Sequence, residues 1–309
     1  MRHRFSHYIE YIVMLTFQTA IRIMPLKCVV VTADILAVLI GSVFKPRNKV
    51  VMQNLRAAFP DMEKDERKKI RDMSYRNILI SSFESYKYMF LTPAQKLKYL
   101  IVDKVSSDLL MSINEEGRGC IVVGGHYGFF EAGGHYANCQ GIKSSYVVAN
   151  QKNKLTERLI DIPRERSGIL VIHRKQMAKL FRALKDNYFV ALLSDQNAGR
   201  KHGVFVSFFN MPASTHKNPA VISLKYNIPM LMVNTVRDKD DRTKHNLSFT
   251  KIGFDDILTS DIDFEDKVRE LVQRYTSVLE AQIRKNPEHY WWIHKRFKTR
   301  PDKNDRFYK

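Results

Sequence analysis

His126 and Glu131 stand five positions apart in the stretch Gly124-Gly-His-Tyr-Gly-Phe-Phe-Glu131-Ala-Gly-Gly134. An imidazole beside a carboxylate can act as an oriented general base. The carboxylate fixes one ring nitrogen as N–H, and the other nitrogen takes a proton from an alcohol. The spacing limits how this pair can meet. On one continuous helix five residues turn by about 500°, which leaves the side chains about 140° apart. His126 must therefore precede the helix, on a turn that folds its ring back toward Glu131. Taken alone, an H-x-x-x-x-E spacing arises easily by chance, and a structural histidine beside a helix-start glutamate is the plainer reading. The flanking glycines favour a turn and, with it, chemistry. Backbone amides at such a turn and helix start suit a developing oxyanion.

Other chemistries find less support. The sequence has no G-x-S-x-G elbow, P-loop or dinucleotide fingerprint. Cys28, Cys120 and Cys139 form no C-x-x-C pair and read as reduced thiols. No dense cluster of zinc ligands is visible. Direct attack by a bound hydroxyl, with no covalent enzyme intermediate, no metal and no cofactor, is the expected chemistry. His135 is expected inside a helix, in a structural role.

Three further clusters could bind a substrate. Arg164 and Arg166, then Arg174 after His173, carry guanidinium forks that suit phosphate, although a solvated basic face is the commoner fate of such runs. Asp195 and Gln196 follow an apolar run; Asp195 suits a substrate hydroxyl or an arginine, or simply a turn. The segment Tyr290-Trp-Trp-Ile-His294-Lys-Arg296-Phe-Lys-Thr-Arg-Pro301 interleaves aromatics with cations. That texture fits a membrane interface, a phosphate-lined cleft or a nucleic-acid groove.

These residues need elements to hold them. Gly119 to Gly125 reads as a buried strand closed by a tight turn. Strands are also expected at Ser144 to Ala149, Ile169 to Ile172, Phe189 to Leu193 and Met230 to Val236, with an edge strand at Leu247 to Ile252. Helical patterns cover Asp65 to Leu91, Met177 to Lys185, Pro219 to Tyr226 and Val268 to Lys285. A short helix opens at Pro93, with Leu97, Leu100 and Ile101 as its apolar side. Strands alternating with helices imply an α/β layered fold, with ligands at the carboxyl ends of the strands. His126 and Asp195, each just past a strand, fall on that rim.

The chain has 309 residues, with 51 Lys plus Arg against 32 Asp plus Glu, a formal charge of +19. An anionic partner is implied: nucleic acid, an anionic membrane or a phosphorylated substrate. Tyr11 to Ile21 is nearly uncharged, and Cys28 to Phe44 carries only Asp34. Arg2, Arg4, Arg22, Lys27, Lys45, Arg47 and Lys49 flank these runs. The expectation is an anchor, either one tilted span or a helical pair lying in the interface. A nucleic-acid partner would leave this segment and the His126 turn unexplained, so none is expected.

Together these segments resemble the late acyltransferases of lipid A biosynthesis, from about Pro46 to Pro301. Asn54-Leu-Arg-Ala-Ala-Phe-Pro60 with Glu66-Arg67 is similar to the family's N-terminal pattern, and His126 to Glu131 to its catalytic H-x-x-x-x-E. Arg166 with Arg174 is similar to its central arginine region. Asp195-Gln196, Val204-Phe205-Val206, Phe208-Phe209, Ala213 and Thr215 resemble its middle block. Trp292 with His294 to Pro301 resembles its C-terminal signature. The resemblance implies a layered α/β acyltransferase domain over residues 46–309, a central mixed sheet flanked by helices, behind an anchoring helical segment over 1–45. It implies a place on the cytoplasmic face of the inner membrane, an acyl-carrier-protein thioester as donor and an anionic, phosphorylated glucosamine lipid as acceptor. His126 would deprotonate the acceptor hydroxyl and Glu131 would orient it. Related families acylate glycerophospholipids, glycolipids or aminolipids, some from acyl-CoA, so the acceptor lipid stays open here.

Overall fold

A computed structural model describes residues 5–308. Its strands are β1 (Leu100–Val102), β2 (Cys120–Gly124), β3 (Ser144–Val148), β4 (Ile169–His173), β5 (Phe189–Leu193), β6 (Gly203–Phe208), β7 (Met211–His216), β8 (Met230–Arg237) and β9 (His245–Lys251). Its helices begin with α1 (Phe5–Ile23), α2 (Leu26–Val43), α3 (Asn48–Ala58), α4 (Lys64–Tyr88), α5 (Pro93–Leu97) and α6 (Lys104–Glu115). They continue with α7 (Ala132–Cys139), α8 (Lys154–Arg166), α9 (Met177–Lys185), α10 (Gly199–His202), α11 (Asn218–Tyr226), α12 (Asp255–Thr259) and α13 (Phe264–Lys285).

The expected central mixed sheet is present. Seven strands run in the order β1-β9-β8-β2-β5-β3-β4. The five from β8 to β4 are parallel, and β9 pairs antiparallel with β8. β2 lies at the centre, with Cys120, Ile121 and Val123 fully buried. Covered on both faces, it has no polar alternation, hence the continuous apolar run. In the β2–β5 register Gly124 faces Leu193. His126 and Asp195 each lie two residues beyond that pair, so the register alone brings them side by side.

Two local expectations change. Leu100 and Ile101 extend no helix: α5 stops at Leu97, and these residues form β1, parallel to β9. β9 is consequently covered by β1 and is not an edge. The β6–β7 hairpin has no glycine signal in its turn. Phe209 and Asn210 adopt φ of 51° and 58°, and Glu280 Oε2 accepts from the Phe209 amide at 2.6 Å. A tertiary bond from α13 thus supports a left-handed phenylalanine that the sequence would not suggest.

No helix among the described residues is long and apolar enough to cross a membrane, which corrects the expectation of a tilted span. At 18 residues α2 is about 27 Å long, short of a hydrocarbon core of about 30 Å. Its middle residue Asp34 accepts paired hydrogen bonds from Arg76 and Arg242 of the α/β body, at 2.7 to 3.1 Å. α1 is fastened as well, by Gln18 Nε2 donating to Leu159 O of α8 at 3.0 Å. The pair lies along the body. On α2, Leu26, Val30, Ala33 and Ala37 face inward, while Val31, Ile35 and Val38 form a second stripe that is at least half exposed.

Candidate active site

The loop after β2 carries His126 into the floor of the site. Gly125 lets α13 and the next strand end close around it; a Cβ there would lie 2.8 Å from Leu279 and 3.1 Å from Asp195. Gly128 has φ +54°, and a Cβ there would stand 2.1 Å from the Thr235 carbonyl oxygen. The C-terminal segment then locks onto the loop. Gly128 N donates to His289 O at 2.9 Å, and Trp291 N donates to His126 O at 3.0 Å. Phe130 and Trp291 flank the His126 ring at centroid distances of 5.2 and 5.4 Å.

Asp195, not Glu131, orients His126. Its Oδ1 lies 2.8 Å from His126 Nδ1, and its Oδ2 accepts from the His126 backbone amide at 3.0 Å. The side chain of Asp195 is 1% exposed and that of His126 18%. Burial pushes the Asp195 carboxyl up, but the His126 charge, the bonds from His126 and the nearby Arg296 overcome this and hold it at about 2. Asp195 is thus an anion that fixes Nδ1 as the N–H, leaving Nε2 as the acceptor.

Glu131 sits just ahead of α7, as its N-cap residue. Its carboxylate accepts from Arg164 Nη2 at 2.6 Å, and both side chains are largely buried. The expected His126–Glu131 hydrogen bond is therefore replaced by two pairs, His126–Asp195 and Glu131–Arg164. Arg164 is committed to this internal pair, which ties α8 to the start of α7.

Gln196 and His294 complete the central cluster. Gln196 Nε2 lies 3.0 Å from His294 Nε2, 3.3 Å from His126 Nε2 and 3.5 Å from His126 Nδ1. The shortest of these contacts is with His294. The His126 and His294 ring centroids are 5.3 Å apart. Burial, followed by the His126 charge, lowers the pKa of His294 below the ordinary histidine range.

The other expected substrate-binding arginines scatter. Arg174 is exposed at the carboxyl end of β4. It stands close enough to His216 for its charge to add to burial in lowering that histidine's pKa, and Asp195 and Arg296 act on the same ring. Arg166 lines a separate groove of about 530 Å³ between α1 and α8, with Tyr11, Arg22 and Arg158. Arg296 is 2% exposed and donates to Ser214 O at 2.8 Å and to the Thr215 hydroxyl. It is an internal cation beneath the site, closed to a substrate.

The turn amides also differ from expectation. His126 N is bound to Asp195, Tyr127 N to Gly125 O at 2.8 Å, and Gly128 N to His289 O. These three donors are already used. His135 is buried within α7, consistent with a structural role. Among the described residues Glu157, Asp161 and His173 bring ligand-type atoms within 4.8 Å of one another. Glu157 there already binds Lys154 and the Gln151 amide.

The sequence places His126 and Asp195 on one rim, but not in contact with each other or with Gln196 and His294. It names Asn54 in the N-terminal pattern but not its partners: Asn54 Nδ2 donates to the carbonyls of Trp292 and His294, both at 2.8 Å. A usable signal existed: two strand-like runs, each followed two residues later by a histidine or an aspartate.

Comparison with known proteins points to one family. A family model described as "Bacterial lipid A biosynthesis acyltransferase" matches residues 1–299. The chain is 28% identical to the lipid A biosynthesis palmitoleoyltransferase of Escherichia coli (strain K12), over 85% of this chain and 83% of that protein. It is 27% identical to a lipid A biosynthesis acyltransferase of Haemophilus influenzae, over 83% and 79%. It is 25% identical to the lipid A biosynthesis lauroyltransferase of Escherichia coli, over 84% and 81%.

Proposed function

The chain belongs to the bacterial lipid A biosynthesis acyltransferase family, and from that premise we propose that it moves a fatty acyl chain from an acyl-carrier-protein thioester to a hydroxyl of a lipid A precursor. The observation that carries the mechanism is the 2.8 Å contact between His126 Nδ1 and the buried carboxylate of Asp195. His126 Nε2 removes the proton of the acceptor hydroxyl. The oxygen forms its bond to the thioester carbonyl carbon, giving a tetrahedral oxyanion. Collapse breaks the C–S bond, and the thiolate recovers the proton from His126. Asp195 steadies the imidazolium between these transfers. Glu131 acts at one remove: its pair with Arg164 fixes the start of α7 behind the His126 loop. Arg174, exposed at the end of β4, is the arginine we assign to an acceptor phosphate.

The setting we propose is the cytoplasmic face of the inner membrane, with α1 and α2 lying in the interface. Two features support it. The outer stripes of both helices are apolar, with Ile12, Val13, Val31, Ile35 and Val38 all at least half exposed. Past the end of α2, Arg47 Nη1 donates to Ile293 O at 3.3 Å, next to His294. This bond ties the turn after α2 to the segment that carries His294.

Mass spectrometry of total lipids from cells with and without the gene tests the reaction and its acceptor together. A lipid A species heavier by one acyl chain in the presence of the gene is expected. An added acyl chain confined to a glycerophospholipid or an aminolipid would overturn the acceptor.

A further inference from the structure

We propose that His294 supplies the hydrogen bond that holds the tetrahedral oxyanion, through Nδ1–H, with Gln196 fixing the tautomer. This role rests on the acyl-transfer reading above. Acyl transfer needs a donor aimed at the carbonyl oxygen, and turn amides often serve. In this protein the amides of His126, Tyr127 and Gly128 are already committed to Asp195, Gly125 and His289. Those three amides are therefore not the donor, and a side chain beside His126 is a candidate for it.

His294 has the required chemistry. The Gln196 amide donates to its Nε2 at 3.0 Å. A ring nitrogen that accepts carries a lone pair, so the neutral ring bears its proton on Nδ1. That nitrogen has no partner among the described residues, and it is not among their sealed, unsatisfied polar atoms. The ring is also well held. Its backbone carbonyl accepts from Asn54 Nδ2 and from the Arg296 amide, both at 2.8 Å, and the ring lies nearly parallel to Trp291, at 10°. It stands 5.3 Å, centre to centre, from His126. A thioester carbonyl bound beside the two adjacent rings would have the base and the donor from neighbouring side chains. Burial and the neighbouring charge of His126 keep His294 neutral, so it donates without transferring its proton. The hydroxyl proton still travels to His126 and on to the departing thiolate.

The test exploits the geometry of amide replacements. An Asn side-chain nitrogen takes the place of Nδ1, whereas a Gln nitrogen takes the place of Nε2. His294→Ala and His294→Gln should lower kcat about 100-fold, with KM nearly unchanged, as loss of one oxyanion donor does. His294→Asn should recover most of that loss. Thermal unfolding of each variant is followed alongside, and the Asn-to-Gln ratio carries the test if the Ala variant is unstable. A Gln variant as active as the Asn variant, or an Ala variant with wild-type kcat, overturns the role of His294 alone. Wild-type protein that transfers no acyl group from a carrier thioester would instead remove the acyl-transfer reading, and this role with it.

Discussion

At the scale of single residues, the site depends on a carboxylate kept ionised where burial opposes it. Asp195 does this by accepting from both the ring and the backbone of His126. Its pKa falls from 3.8 to about 2 on folding. A lowered carboxylate stabilises the fold above its unfolded pKa, and that stability is lost as pH drops toward the folded value. The shift corresponds to about 2 kcal/mol. The unfolding free energy of wild-type protein, minus that of Asp195→Asn, should therefore shrink as pH falls from 4 to 3. A difference independent of pH across this range would contradict the pairing. Glu131 shows the limit of residue-level reasoning. The H-x-x-x-x-E spacing marked both residues, but it carried no information on which carboxylate reaches the imidazole, because Asp195 lies 69 positions away from His126.

At the scale of elements, most of what positions the site was legible. The buried strand before His126, the strand before Asp195 and the helix from Met177 to Lys185 all stand where composition and period put them. Their patterns are local, because each buries a continuous face. What could not be read depends on tertiary bonds. The hairpin turn at Phe209 and Asn210 is supported by Glu280 from α13. β1 looked like the apolar side of a helix until β9 gave it a partner. The C-terminal segment has little regular structure of its own, and other elements hold it against His126. Ser74 of α4 donates to Tyr290 O at 2.8 Å, Asn77 to Glu288 O at 3.0 Å, and Asn54 of α3 to the carbonyls of Trp292 and His294. These side chains donate to backbone, so no pairing rule between residue types announces them. They also tie the N-terminal Asn54 block to the C-terminal His294 block.

At the scale of the whole molecule, charge and apolar surface act together. The chain carries a formal charge of +19, and α1 and α2 present apolar side chains outward along the body. Neither helix is long and apolar enough to cross a bilayer, so the attachment proposed through them is in the interface, where basic residues and apolar stripes reinforce each other. The protein should bind vesicles containing anionic lipid. Ile35→Glu with Val38→Glu should weaken that binding at least tenfold, since each replaces an exposed apolar contact with a charge of the wrong sign. Unchanged binding in the double variant would move the membrane contact elsewhere. The chemistry itself is tested most directly by the initial rate of acyl transfer from an acyl-carrier-protein thioester to a lipid A precursor, in purified protein carrying His126→Ala. The rate should fall by about 1,000-fold or more, on the scale of a lost general base, while the unfolding midpoint stays near that of the wild type. Transfer at the wild-type rate by the folded variant would show that His126 is not the base.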